Sequence, residues 1–135
     1  MSGDLSDREG IEQALSAYSL AIDRQEWDRL RDAWAPDGVW ILADGSEHRG
    51  LDEIERRARW GALHSPADHL HQIFNLFVRL DGDTATADSD WLYYGRMDDR
   101  PWGIVSWGHY RDRLVRTPDG WRLSERRILR RLEYQ

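Results

Sequence analysis

The feature that most limits the fold is a change of period partway along the chain. Up to about Leu63 the apolar residues recur at intervals of three and four, and from His69 onward they alternate at two. A chain of 135 residues ordered this way reads as one domain, residues 1–135, with helices first and strands after, which is the α+β pattern. Ser6-Asp7-Arg8-Glu9 is a capping box, and Ile11, Leu15, Tyr18 and Ile22 form the apolar stripe of a helix ending near Asp23 or Arg24. A second short helix carries Trp27, Leu30 and Trp34 and is stopped by Pro36-Asp37-Gly38. Val39–Ala43 is a short strand turned at Asp44-Gly45, and a third helix runs from Leu51 to about Leu63. Hairpin signals then join His69–Leu80 to Thr84–Tyr94 and Trp102–Arg116 to Trp121–Tyr134. Helices on one face of a curved, mostly antiparallel sheet would enclose a tapering cavity, so the expected architecture is a cone-shaped α+β barrel.

Composition removes several function classes. All 19 basic residues are Arg, so no lysine is present to form a Schiff base or to bind phosphate in a Walker-type loop. Cysteine is absent, which excludes disulfides, thiolate catalysis and Cys-ligated zinc. The net charge of −6 argues against a nucleic-acid partner. Met1-Ser2-Gly3-Asp4 has neither a basic start nor an apolar run, so a cytoplasmic location is expected. No apolar stretch approaches the roughly 18 residues of a membrane span, so no membrane association is expected. Gly103-Ile104-Val105-Ser106-Trp107-Gly108 has the wrong spacing for a nucleophile elbow, and neither a dinucleotide fingerprint nor an H-E-x-x-H motif occurs. Eight Trp and five Tyr against two Phe suit the lining of a pocket for a flat apolar ligand, although most of the Trp are expected in the core.

Several segments together resemble the SnoaL-like branch of the nuclear-transport-factor-2-like superfamily. They are Tyr18–Asp23 followed by Arg24–Leu30 and Trp34–Gly38, then Gly50–Ile54, then His71–Asn75 running into Leu80–Ala85, and finally Gly120–Arg126. The resemblance extends over roughly residues 8–130. The superfold hosts dehydratases, isomerases, cyclases, dehydrochlorinases and non-catalytic subunits, so it specifies a fold more sharply than a reaction.

Within that frame the candidate chemistry centres on Asp23 and His71. Asp23 stands near the negative end of the first helix, where a carboxylate costs about 0.3–1 kcal/mol. By itself it reads as a solvated helix-end residue; the resemblance implies that it orients and polarises a catalytic histidine. His69, His71, Ile73 and Asn75 share one strand face at period two. His71, with Asn75 four residues on, matches the family's base, whereas His69 lies outside the pattern and is expected at the pocket mouth. Tyr18 shares the inward stripe and is either core filler or a hydroxyl donor to an oxyanion. Dehydratase-like members have a tyrosine at this position and dehydrochlorinase-like members a lysine. Arg126 matches an arginine on the family's last strand and either pairs with Asp23 or stabilises an oxyanion or leaving group. Its neighbours Arg127, Arg130 and Arg131 read as a solvated edge. Trp40, Asn75, Trp91, Tyr93 and Trp107 are the candidate substrate-binding residues. The ketosteroid-isomerase-like base is missing, since its strand here reads Val39-Trp40-Ile41-Leu42. His69-x-His71 with Asp23 has a metal-compatible composition, but the resemblance implies neither a metal nor a cofactor.

The resulting expectation is a cofactor-independent lyase of the dehydratase type acting on a small oxygenated ring compound, such as a polyketide or steroid-like intermediate. A SnoaL-like cyclase and a non-catalytic binding or assembly domain are the alternatives. Strands with aromatics on both faces, Trp91 with Tyr94 and Trp107 with Tyr110, imply an exposed apolar surface and a homodimer.

Overall fold

A computed structural model describes residues 5–65 and 68–133. The first helix, α1 (Asp7–Arg24), begins at Ser6, whose hydroxyl accepts the Glu9 backbone N–H at 3.2 Å while donating to the Glu9 carboxylate at 2.8 Å. The Ser6 N-cap of the expected capping box forms, while the Glu9 carboxylate takes the Ser6 hydroxyl rather than its backbone N–H. The inward stripe is buried, with Ile11, Leu15 and Tyr18 each no more than 2% exposed, and each such side chain contributes about 1.5–3 kcal/mol. The helix ends where Gln25 turns left-handed at φ 56°, leaving Asp23 in the last turn.

Helix α2 (Trp27–Ala33) is shorter than its apolar spacing suggests. Trp34 is not its last residue but the first of β1 (Trp34–Ile41), which passes through Pro36-Asp37-Gly38 with a register shift before Val39. The proline lacks an N–H and cannot follow within a helix, so the chain extends early. A short β2 (Glu47–Arg49), absent from the sequence reading, pairs antiparallel with β1 ahead of α3 (Leu51–His64).

Then come β3 (His69–Asp81), β4 (Thr84–Gly95), β5 (Gly103–Thr117) and β6 (Gly120–Glu133), all antiparallel neighbours. Tyr134, expected as the end of the last strand, the side chain of Arg131 and the Met1–Asp4 start lie outside the described residues. The sheet order is β2-β1-β6-β5-β4-β3, with β1 parallel to β6. The helices pack against a curved six-stranded sheet that stays open, with β2 and β3 as its edges, so the cone is not a closed barrel. Among the described residues no helix is long and apolar enough to cross a membrane.

Two local devices shape the inner face. At Gly108 a Cβ would meet the Leu129 carbonyl oxygen at 1.9 Å, so only glycine allows β5 and β6 to approach this closely beside Trp91. In β3 the register shifts between Phe74 and Phe77, and Asn75 adopts φ 52°. That extra residue ends the period-two face after Ile73.

The deepest polar feature is the pair Arg126–Asp112, directly opposed on β6 and β5 and bonded in a fork at 2.7 and 2.8 Å. Both side chains are fully buried. Removing one partner would strand the other charge, so Asp112→Ala is expected to lower stability by about 3–5 kcal/mol, measured by urea denaturation. Truncating an exposed pair such as Arg8–Glu12 is expected to cost under about 1 kcal/mol in the same assay.

Candidate active site

Sheet, α1 and α3 surround a cavity of about 390 Å³. One wall is aromatic: Tyr18 meets Trp40 edge-on at 5.8 Å and Tyr110 at 5.9 Å, and Tyr110 stacks on Trp91 at 5.9 Å. The opposite side comes from α3, with Arg57, Ala58, Trp60 and His64. His69, His71 and Tyr93 complete the lining at the β3–β4 edge.

Asp23 stands behind His71 and clasps it twice. One carboxylate oxygen, Oδ2, accepts the His71 backbone N–H at 2.8 Å, and Oδ1 lies 2.5 Å from His71 Nδ1. These bonds offset the cost of a carboxylate at a helix C-terminus. Because a carboxylate oxygen only accepts, the ring brings an Nδ1–H to this contact, and in the neutral ring that tautomer leaves the lone pair on Nε2. The His71 ring lies nearly parallel to its cross-strand partner Tyr93, 4.7 Å away. His69 is also turned inward, with Nε2 3.6 Å from Asp23 Oδ1, so it belongs to the cluster rather than to the pocket mouth.

The donor atoms of Asp23, His69 and His71 all lie within 4.8 Å of one another, a set whose composition suits a metal ion. Two ligands of one tetrahedral zinc stand about 3.4 Å apart, given bonds of about 2.1 Å. The His69 separation of 3.6 Å meets that figure, but the His71 separation of 2.5 Å is a hydrogen bond, and the ring would have to draw back to admit an ion.

Tyr18, Trp40, Trp91 and Tyr93 line the cavity with His71. Asn75 does not: the bulge turns it to the outer sheet face, where its amide donates to Asp90 at 2.9 Å. Trp107 also falls on the outer face, because β5 buries Ser106, Gly108, Tyr110, Asp112 and Leu114 in alternation with it. Neither is placed to touch a ligand in this cavity. Arg126 pairs with Asp112 rather than Asp23, and its guanidinium lies beneath Tyr18 and Tyr110 instead of on the cavity wall. The sequence reading missed Tyr110 and Ser106 on the wall and Asp112 behind it. The inward parity of β5 was the available signal, since it places a charged residue, Asp112, in a buried row.

Helices packed on an open, curved, mostly antiparallel sheet, with a carboxylate-held histidine facing the space between them, define an NTF2-like fold. The SnoaL-like domain family matches residues 3–127, and the chain belongs to that family. The uncharacterized protein Rv2910c of Mycobacterium tuberculosis is 34% identical over 132 residues, covering 91% of this chain and 84% of its own length. Among solved structures, an NTF2-like protein with a cystatin-like fold from Novosphingobium aromaticivorans superposes with a TM-score of 0.83 at 24% identity, covering 92% of this chain and 81% of its own. A scytalone-dehydratase-like protein from the same organism has a TM-score of 0.81 at 20% identity, covering 95% and 87% of the two chains. At these identities the solved structures establish the fold.

Burial pushes the Tyr18 hydroxyl up to about 12 against the pull of nearby Arg126, and pushes Tyr110 well above its ordinary 10.0. Between pH 10.0 and about 12 the unfolded chain ionises Tyr18 while the folded chain keeps it neutral. Stability from this group is therefore present below pH 10 and lost as pH rises, by about 1.4 kcal/mol per unit. Chemical denaturation at stepped alkaline pH is expected to show that decline, and Tyr18→Phe is expected to make it shallower.

Proposed function

We propose that the protein is a lyase that eliminates water from a small, mostly apolar, oxygenated ring compound without a cofactor, a ketone bearing a β-hydroxyl being the simplest such substrate. The observation that carries this reading is the 2.5 Å contact between Asp23 and a His71 that faces an aromatic cavity. His71 Nε2 takes the acidic proton next to the carbonyl, and the electron pair moves onto the carbonyl oxygen, where Tyr18 donates a hydrogen bond. Asp23 stabilises the imidazolium formed on the way. The enolate then re-forms its carbonyl, the β C–O bond breaks, and the imidazolium returns its proton to the departing hydroxyl. One water leaves and His71 is neutral again. Membership of a family related in fold to a scytalone-dehydratase-like protein supports this chemistry.

The test is turnover of a panel of cyclic β-hydroxy ketones, followed by the mass loss of one water. His71→Ala is expected to reduce kcat by roughly 10²–10⁴-fold. Asp23→Asn, which preserves shape and removes charge, is expected to lower kcat far more than it changes KM. Tyr18→Phe is expected to cost on the order of 10–10³-fold. Near-normal turnover in both His71→Ala and Asp23→Asn would overturn the reading. Products with unchanged mass and a new ring would reassign the same enolate to an aldol cyclisation.

The outer sheet face supports a homodimer. Leu70, Phe77 and Ile104 are each about half exposed, at 51, 56 and 47%, and Trp107 adds to the same surface. Apolar exposure of this extent marks an interface. Sedimentation equilibrium at micromolar concentration is expected to give twice the 15.9 kDa chain mass. A single-chain mass would refute the dimer.

A further inference from the structure

The cavity wall carries positive charge that the proton transfer leaves unused. Among the described residues the lining holds two guanidinium groups, from Arg57 and Arg130, and one carboxylate, from Asp44. That carboxylate is engaged by the loop after β1, where it accepts the Ser46 backbone N–H at 2.9 Å. Arg130 stands on β6 in the inward row of Arg126 and Ile128, at the exposed end of that row. A chain with a net charge of −6 thus lines its cavity with more guanidinium than carboxylate.

Arg57 is built into its place. Its neighbour Arg59 pairs with Glu55 at 2.9 Å, whereas the Arg57 guanidinium lies 4.6 Å from the centre of the Trp60 ring, and His64 stacks on Trp60 at 4.0 Å. Arg57, Trp60, Gly61 and His64 fall on one face of α3 at helical spacing, and all four line the cavity. Gly61 sits inside α3, where glycine costs stability relative to alanine. A Cβ there would stand 3.1 Å from Arg57 Nη1, so the glycine leaves the space in which the guanidinium lies. A broken local preference beside a half-buried charge on a cavity wall points to a ligand. A guanidinium held in this way presents a fork of donors that matches a carboxylate.

We infer that the ring compound taken by this cavity carries a carboxylate, that Arg57 binds it with Arg130 adding to the positive field, and that Gly61 makes the room for Arg57 to do so. This rests on the reading above in placing a ring compound against the aromatic wall. It goes beyond that reading by naming an acidic substrate class, a keto alcohol with a carboxylate on its ring, and by assigning residues that take no part in the proton transfer.

The probes are 2-naphthoate and 2-naphthamide, alike in ring and shape and different in charge, titrated into the intact protein by calorimetry at about pH 8, where the carboxylate is ionised. Naphthoate is expected to bind at least about tenfold more tightly, the worth of a hydrogen bond to a charged group, and to lose that advantage as salt is raised. Arg57→Met keeps an apolar stem and removes the charge; it is expected to weaken naphthoate by about tenfold and to leave naphthamide within about twofold. Gly61→Ala is expected to weaken naphthoate by about threefold without lowering the melting temperature, since alanine is the better helix former. Equal affinity for the two probes in the unaltered protein would overturn the inference, as would an equal loss of both in Arg57→Met, which would make Arg57 packing alone. A full naphthoate advantage retained in Arg57→Met would place the anion elsewhere and overturn it too. Unchanged naphthoate binding in Gly61→Ala would overturn the part given to Gly61. Turnover does not enter these readouts, so failure of the Asp23–His71 mechanism and failure of this inference are separately visible.

Discussion

The Arg126–Asp112 pair fixes more of this molecule than any other contact. Both charges leave water completely, a cost of several kcal/mol per ion that only a well-formed fork offsets. Arg126 faces Asp112 across the β5–β6 ladder and Trp40 across the parallel β1–β6 ladder. A slip of one residue at either junction would turn a charge or an indole to the wrong face. The pair therefore sets the register of the central strands, and with it the positions of Tyr110, Trp91 and Ser106 along the cavity. The tyrosines that shield the guanidinium from water are the same ones that face the ligand space.

The second constraint joins distant parts of the chain. Asp23 and His71 are 48 residues apart, and α1 reaches β3 through them. Sheet order makes β3 an edge, and the N–H of His71 is spent on Asp23 rather than on another strand. The helix end thus covers part of an exposed strand edge and orients the imidazole with one carboxylate.

Much of this was legible in the sequence because period is a local property. The α1 cap and stripe, α3, and the four long strands follow from residues a few positions apart. Asp23 stood out because a carboxylate at a helix C-terminus contradicts a local preference. What the sequence did not disclose is set by pairing between distant segments. The parallel β1–β6 ladder, the short β2, and the choice of Asp112 over Asp23 as partner for Arg126 are of this kind. Asn75 and Trp107 were misplaced for two different reasons. At Asn75 a left-handed residue broke the count along β3, and Trp107 was assigned to the pocket by residue type when its parity pointed outward.

The placement of His71 on an edge strand has a consequence for how the protein fails. A central strand is held by two ladders, but β3 is held by β4 on one side and by α1 on the other. Its first residues, from His69 to Ile73, can therefore detach without disturbing the β4–β5–β6 sheet or the ion pair within it. Opening of that segment lies at the low-free-energy end of the molecule's fluctuations and should be visible as early amide exchange at the start of β3. Heat or mild denaturant would then disassemble the site while the sheet is still intact, so loss of ligand binding would precede loss of the fold.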